Sequence, residues 1–187
     1  MYINPSFSSQ KLYDAKIRHK KDDGTKETIN AQITKLSYDD PEDSSAMMII
    51  ALKWRSMDEY FNPKYFDNIH FNFKTKFANT LAIELVDDSK KLENKIVCLA
   101  SISDNEVEYL QARPDAEYKP VRSDSKRKYY GAGKALMQGI FQYIKYNKFN
   151  EVTVNSANDK FYNAIGMKPA PELNPDSRFN YYKHKLD

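Results

Sequence analysis

Lys128-Tyr129-Tyr130-Gly131-Ala132-Gly133-Lys134 is the stretch on which the reading of this chain turns. Only five glycines occur in 187 residues, and two of them stand here. From Gly131 onward the apolar pattern has period 3.6, with Ala132, Leu136, Ile140 and Ile144 on one line and Met137 and Phe141 beside it. The pair therefore opens the clearest helix in the sequence. A helix N-terminus exposes unpaired N–H groups and a partial positive charge, and residues without side chains let an anion approach the backbone closely. The loop reads as a phosphate site.

Spacing removes two familiar phosphate-binding motifs. A mononucleotide P-loop needs glycine at 128 and a hydroxyl residue at 135, where Lys128 and Ala135 stand. A dinucleotide fingerprint needs glycine or alanine at 136, and Leu136 instead belongs to the apolar line of the helix. Two glycines can also simply cap or pack a helix start, so the context has to decide.

Working outward, Lys11 to Leu36 reads as a hairpin turning at Asp22-Asp23-Gly24, with Ile29, Ala31 and Ile33 alternating with polar neighbours. A helix is expected from Asp43 or Ser44, with Met47, Ile50, Ala51, Trp54, Met57 and Phe61 at helical spacing up to Asn62-Pro63. The aromatic stretch Tyr65 to Phe77 predicts a short helix, and Leu81, Ile83 and Leu85 alternate with Thr80, Ala82 and Glu84 as in a strand. Ile96 to Ile102 and Glu106 to Ala112 flank the turn Ser103-Asp104-Asn105 and predict an antiparallel hairpin. In that second arm, strict alternation puts Glu106, Glu108, Leu110 and Ala112 on one face. Beyond the glycine helix, a strand at Glu151 to Asn155, a short helix from Asn158 to Ile165 closed by Gly166, and a strand at Arg178 to Lys183 complete the chain.

Composition sets the outer bounds. Hydrophobic residues make up 41% and charged residues 29%, ordinary for a globular protein and too apolar for a disordered one. The length suits a single domain over residues 1–187. A net charge of +3 with both signs scattered gives no general case for nucleic-acid binding. No apolar run reaches the roughly 18 to 20 residues of a membrane span, and Met1 to Pro5 has no signal-peptide character, so no membrane partner and a cytoplasmic location are expected. Cys98, the lone cysteine, lies in an apolar run and reads as a core residue. His19, His70 and His184 are widely separated and make no metal spacing with it, so no metal is expected.

A second block follows the first in order: Asn155, then Phe161-Tyr162, then Gly166-Met167. Together the blocks resemble the GNAT superfamily of N-acetyltransferases. That family's signature is Arg or Gln, two residues, Gly, one residue, then Gly or Ala at a helix start, followed by an Asn-led segment with a Phe/Leu-Tyr pair and a closing glycine. Lys128, Gly131 and Gly133 fit the first frame, with lysine keeping the charge and losing the bidentate geometry of arginine. Arg113 to Arg127 is longer than the few residues usual there. The resemblance covers about half of the chain, residues 95–187, and residues 1–94 match only in the order of their elements.

The resemblance implies a mixed α/β fold: a central, mostly antiparallel, splayed sheet flanked by helices. It implies acetyl-CoA as co-substrate and an amine as acceptor, with residues 1–94 shaping the acceptor site and 95–187 forming the cofactor core, and it is compatible with a homodimer. The pantetheine arm would pair with the backbone of Leu110, Gln111 and Ala112, and the amides of Tyr129, Tyr130, Gly131, Ala132, Gly133 and Lys134 would hold the pyrophosphate. Asn155 and Phe161 would complete the cofactor site. Tyr162 is the implied donor to the thiolate, and Glu106 or Glu108 the implied base, Glu106 matching the family's offset better. Lys119, Arg122, Lys126, Arg127, Lys128 and Lys134, with Tyr129 and Tyr130 between them, would meet the nucleotide. Trp54, Tyr60, Phe61, Tyr65 and Phe66 fall where the family builds its acceptor wall, although core packing is the better reading of Trp54. The competing function is a catalytically silent CoA-binding or nucleic-acid-binding module of the same fold.

Overall fold

The computed structural model describes residues 9–57, 63–113, 128–156, 158–173 and 180–186. The chain begins with strands β1 (Gln10–Lys20) and β2 (Lys26–Leu36), then helices α1 (Pro41–Met57) and α2 (Pro63–Thr75). Strand β3 (Asn79–Leu85), the one-turn α3 (Leu92–Lys95), β4 (Ile96–Ser103) and β5 (Glu106–Ala112) follow. Then come β6 (Tyr129–Tyr130), α4 (Ala132–Tyr146), β7 (Glu151–Ser156), α5 (Asp159–Ala164), β8 (Lys168–Pro169) and β9 (Asn180–Lys185). Among the described residues the nine strands form one sheet in the order β6-β1-β2-β3-β4-β5-β7-β9-β8. Every pairing is antiparallel except β5 with β7. No helix among the described residues is long and apolar enough to cross a membrane.

The boundaries follow local chemistry. Gly24, at φ +86°, turns the β1–β2 hairpin, and the Thr25 amide donates to Asp23 Oδ1 at 2.8 Å. Helix α1 starts earlier than the Asp43 or Ser44 expected from sequence. Asp40 caps it, its Oδ1 accepting from the Glu42 and Asp43 amides at 2.8 and 3.2 Å, and Pro41 takes the first helical position, where a missing N–H costs nothing. The expected continuation to Phe61 falls outside the described residues. The aromatic stretch is a full helix, α2, ended where Lys76 turns to φ +57° and the Phe77 amide donates to Asn72 O. Nothing in the sequence pattern marks α3. The expected start of the last strand at Arg178 also lies outside the described residues.

Two apolar layers cover the sheet. On one face α4 lays Leu136, Met137, Ile140 and Ile144 on Ile33, Leu81, Ile83, Ala100 and Ile102. On the other, α1 and α2 pack Met47, Ile50, Trp54, Ile69 and Phe73 over Ala82, Ile96 and Leu99. Each fully buried side chain of this size stabilises by about 1.5 to 3 kcal/mol. Strand β3 sends Leu81, Ile83 and Leu85 into the first layer and Ala82 into the second, so it is buried on both faces. Helix α4 comes so close that a Cβ on Gly139 would stand 2.1 Å from Ile33 Cδ1.

Asp43 sits under the start of α1, 1% exposed. Its Oδ2 accepts from the Ser37 amide at 2.7 Å, while Oδ1 has no hydrogen-bond partner. Burial pushes its pKa up to about 6 against the Ser37 hydrogen bond, with the charges of Asp40, Glu42 and Glu84 adding to the rise.

Two outcomes are expected. Gly139→Ala forces β2 and α4 apart and lowers unfolding free energy by roughly 1 to 3 kcal/mol, read from urea denaturation. For Asp43, the folded pKa lies above the unfolded one, so its contribution is fully present at low pH and is lost as pH rises toward about 6. Asp43→Asn removes that loss, and the variant gains on the order of 2 kcal/mol over the wild type between pH 4 and pH 8. Parallel pH profiles for the two proteins would contradict this.

Candidate active site

Strands β5 and β7 run side by side for only two rungs, Glu106 with Thr153 and Val107 with Val154. Past Val107 they part. Strand β5 stays on β4 through the pairs Ala100–Leu110, Leu99–Gln111 and Cys98–Ala112, while β7 follows β9 through Asn155–Tyr181 and Ser156–Asn180. Among the described residues, the inner edge of β5 over Leu110 to Ala112 therefore faces a wedge rather than a strand. Backbone groups on such an edge retain the capacity to hydrogen-bond an extended ligand.

The glycine loop stands beside this wedge. Gly131 caps α4 at φ +80°, and the first helical bond runs from the Ala135 amide to Gly131 O at 2.9 Å. The amides of Ala132, Gly133 and Lys134 are thus the unpaired donors of the helix start. A Cβ at Gly131 would meet nothing within 4 Å, so its backbone angle, not its space, calls for glycine. Gly133 is different: a Cβ there would lie 3.4 Å from Phe161 Cζ and 3.7 Å from Leu110 Cδ2. Gly133, Leu110 and Phe161, picked out separately in the sequence, meet at one point.

The loop is anchored to the hairpin. Strand β6 pairs with β1 at Arg18–Tyr130 and His19–Tyr129, and the Lys20 amide donates to Lys128 O at 2.8 Å. The Tyr129 ring stacks on His19 at 5.2 Å with the Arg113 guanidinium 4.8 Å from its centre, and Lys26 Nζ stands 4.1 Å over Tyr130. Both rings are engaged by protein side chains.

The second block arrives at the other side of the wedge. Asn158 caps α5 by accepting from the Phe161 amide at 3.2 Å, and Gly166, at φ +87°, ends the turn after it. Asn155 Oδ1 is buried without a hydrogen-bond partner. Tyr162 is 6% exposed, edge-on to Phe161 at 5.0 Å and stacked on Tyr182 at 6.0 Å. Burial, with nearby Cys98, raises its pKa far above the usual phenol value, so the hydroxyl keeps its proton.

The carboxylates depart from expectation. The β4–β5 register steps from Ser101–Tyr109 to Ile102–Val107, so Glu108 is an extra residue in a β-bulge. One extra residue reverses the alternation. Val107 and Leu110 both face the α4 layer, whereas Tyr109 packs on the α1–α2 layer. Glu106 and Glu108 consequently lie on the α2 side, and Leu110 and Ala112 on the α4 side, not on one shared face. Asn72 Nδ2 donates to Glu108 Oε2 at 2.6 Å and reaches Ser101 Oγ at 3.2 Å. Glu106 is half-buried, and its pKa is raised by that burial and then by the charge of Glu108. No sequence pattern could have supplied Asn72 or Ser101, which meet Glu108 across 36 and 7 residues.

Trp54 is core, 1% exposed. Tyr60, Phe61, Lys119, Arg122, Lys126 and Arg127 lie outside the described residues, as do the side chains of Tyr65 and Phe66. Among the described residues no three His, Cys, Asp or Glu side chains converge as a metal site. His19 and His184 are instead ring partners of Tyr129 and Phe141.

Gly131→Ala is expected to cost about 1 to 2 kcal/mol, the strain of a left-handed residue with a Cβ, measured as a lowered urea midpoint. Gly133→Ala instead places a methyl in ordinary van der Waals contact with Phe161 and Leu110.

Neither a family model nor a curated protein sequence matches the chain. Solved structures do. A GNAT-family protein of Desulfovibrio desulfuricans aligns over 84% of this chain and 99% of its own, at 10% identity and a TM-score of 0.52. Tetrahymena GCN5 aligns over 91% and 96%, at 10% identity and 0.50. A candidate N-acetyltransferase of Lactobacillus plantarum aligns over 79% and 94%, at 12% identity and 0.50. At such identities the likeness speaks to fold, and it extends along nearly the full length of each neighbour. With its mostly antiparallel sheet, its parted parallel strands and its glycine-opened helix, this chain has the fold of the GNAT acyl-CoA N-acetyltransferases.

Proposed function

We propose that this protein is an acetyl-CoA-dependent N-acetyltransferase acting on a primary amine. The observation that carries the reading is the wedge between β5 and β7, open beside the unpaired amides of α4. In this reading the chain is one acetyltransferase domain, residues 1–94 bordering the acceptor and residues 95–187 holding the cofactor.

The polar groups suit acetyl-CoA. The amides of Ala132, Gly133 and Lys134 offer donors to a pyrophosphate, and Lys128 adds charge beside them. The inner edge of β5 over Leu110, Gln111 and Ala112 offers both donors and acceptors to the amides of a pantetheine arm. Asn155 Oδ1, buried without a donor, gains one there. Acetyl-CoA supplies the activated acyl group.

The protein's own residues handle protons. An acceptor amine must lose its proton to expose a lone pair, and in this reading Glu106 takes it, its carboxylate made more basic by burial. The nitrogen then bonds to the acyl carbon as the carbon–sulfur bond breaks. Tyr162 remains protonated and can donate to the departing thiolate, taking a proton back from solvent afterwards.

Tyr162→Phe should bind acetyl-CoA as the wild type does in calorimetry while its kcat drops about 100-fold, the usual worth of a general acid. Because the base must be ionised, wild-type rate falls as pH drops through the raised Glu106 pKa, and Glu106→Gln loses that acidic limb. Absence of acetyl-CoA binding by the wild type at millimolar ligand would overturn the proposal.

A further inference from the structure

The bulge in β5 leaves one feature that the reaction above does not use. Glu108 is exposed, yet its carboxylate is oriented: Asn72 Nδ2 lies 2.6 Å from Oε2, and Ser101 Oγ lies 3.5 Å from the same atom. Ser101 is fully buried and Asn72 also donates to its hydroxyl, so one amide group serves both partners. An acceptor-only carboxylate can be satisfied here only by the amide's N–H side, which determines how Asn72 is turned. Among the described residues, neutral donors alone hold Glu108. No cation among the described residues pairs with it, and its second oxygen has no partner there.

Asn72 is itself well placed to hold something still. Its helix is clamped by Ile69 and Phe73, buried in the α1–α2 layer, and its own carbonyl accepts the Phe77 amide that closes the helix. Glu108 stands one residue past the last β5–β7 rung, at the apex where the strands part. A carboxylate fixed by neutral hydrogen bonds, without a countercharge, is a dock for a cation. The cation that must come to this apex, on the acetyltransferase reading, is the acceptor's ammonium before it is deprotonated.

We propose that Asn72 is a positioning residue that holds the Glu108 carboxylate at the apex of the wedge as the dock for the acceptor's ammonium group. This rests on the acetyltransferase reading. Glu108 binds and Glu106 removes the proton, so the two carboxylates divide the work. Neutral nucleophiles such as alcohols gain nothing from the dock, and the acceptor is an alkylamine cationic at neutral pH.

The test uses the full chain, acetyl-CoA and a panel of primary alkylamines and lysine-containing peptides, taking the best acceptor forward. Asn72→Ala raises the amine KM about tenfold or more, the effect of losing a hydrogen bond to a charged group, with kcat nearly unchanged. Acetyl-CoA KM stays at the wild-type value. Glu108→Gln has the same signature, and the double variant is no worse than Glu108→Gln alone, because Asn72 acts only through Glu108. Asn72→Ser, which keeps a small polar residue but loses the reach of the amide, gives the result if the alanine variant fails to fold. An unchanged amine KM in the Asn72 variants of an active enzyme overturns the inference and leaves the acetyltransferase reading standing. So do effects that multiply in the double variant. A wild type that binds acetyl-CoA but transfers to no amine removes both.

Discussion

Two hydrogen-bonded rungs between β5 and β7 are the constraint on which the site depends. Parallel strands normally continue side by side, each satisfying the other's backbone. Here each is committed elsewhere: β5 follows β4 to Ala112 and β7 follows β9 to Ser156. Among the described residues, their divergence leaves the edge of β5 beyond Val107 without a neighbouring strand on that side. The start of α4 lies beside the opening, with Gly133 against Leu110 and Phe161. The helix-start amides of α4 and the edge of β5, the groups of the proposed cofactor site, thus come together from separate elements of one chain.

The rigidity behind the wedge comes from burial on both faces of the central strands. Strand β3 contributes to both apolar layers, and α4 is drawn close enough to β2 that Gly139 has no room for a methyl group. A helix held that tightly does not drift, and the amides at its N-terminus keep their aim. The β1–β6 pairing and the Tyr129 ring between His19 and Arg113 hold the loop from its other side. The proposed cofactor site is therefore built on packed elements, which preserves its geometry without the ligand.

The bulge at Glu108 does a different job. It reverses the side on which β5 presents its residues midway along the strand. Below it the strand turns glutamates toward α2, and above it Leu110 and Ala112 turn toward α4. The two carboxylates are thereby separated from Leu110 and Ala112 onto opposite faces of one strand. Without the extra residue both carboxylates would share a face with Leu110 and Ala112.

Much of this was legible in the sequence, for a local reason. The glycine pair, the period of α4, the Asn158 cap and the closing Gly166 are signals within a few residues, because helix starts, caps and left-handed turns are short-range problems. Together with the Asn155 to Met167 block, they sufficed for the fold. The tertiary structure alone decided where β5 leaves β7, which face Glu106 and Glu108 take, and that Asn72 reaches Glu108. Register and bulges depend on partner strands, and a hydrogen bond across 36 residues depends on a helix packing that no local pattern encodes. Tyr129 and Tyr130 make the same point: only the tertiary structure brings His19, Arg113 and Lys26 against their rings.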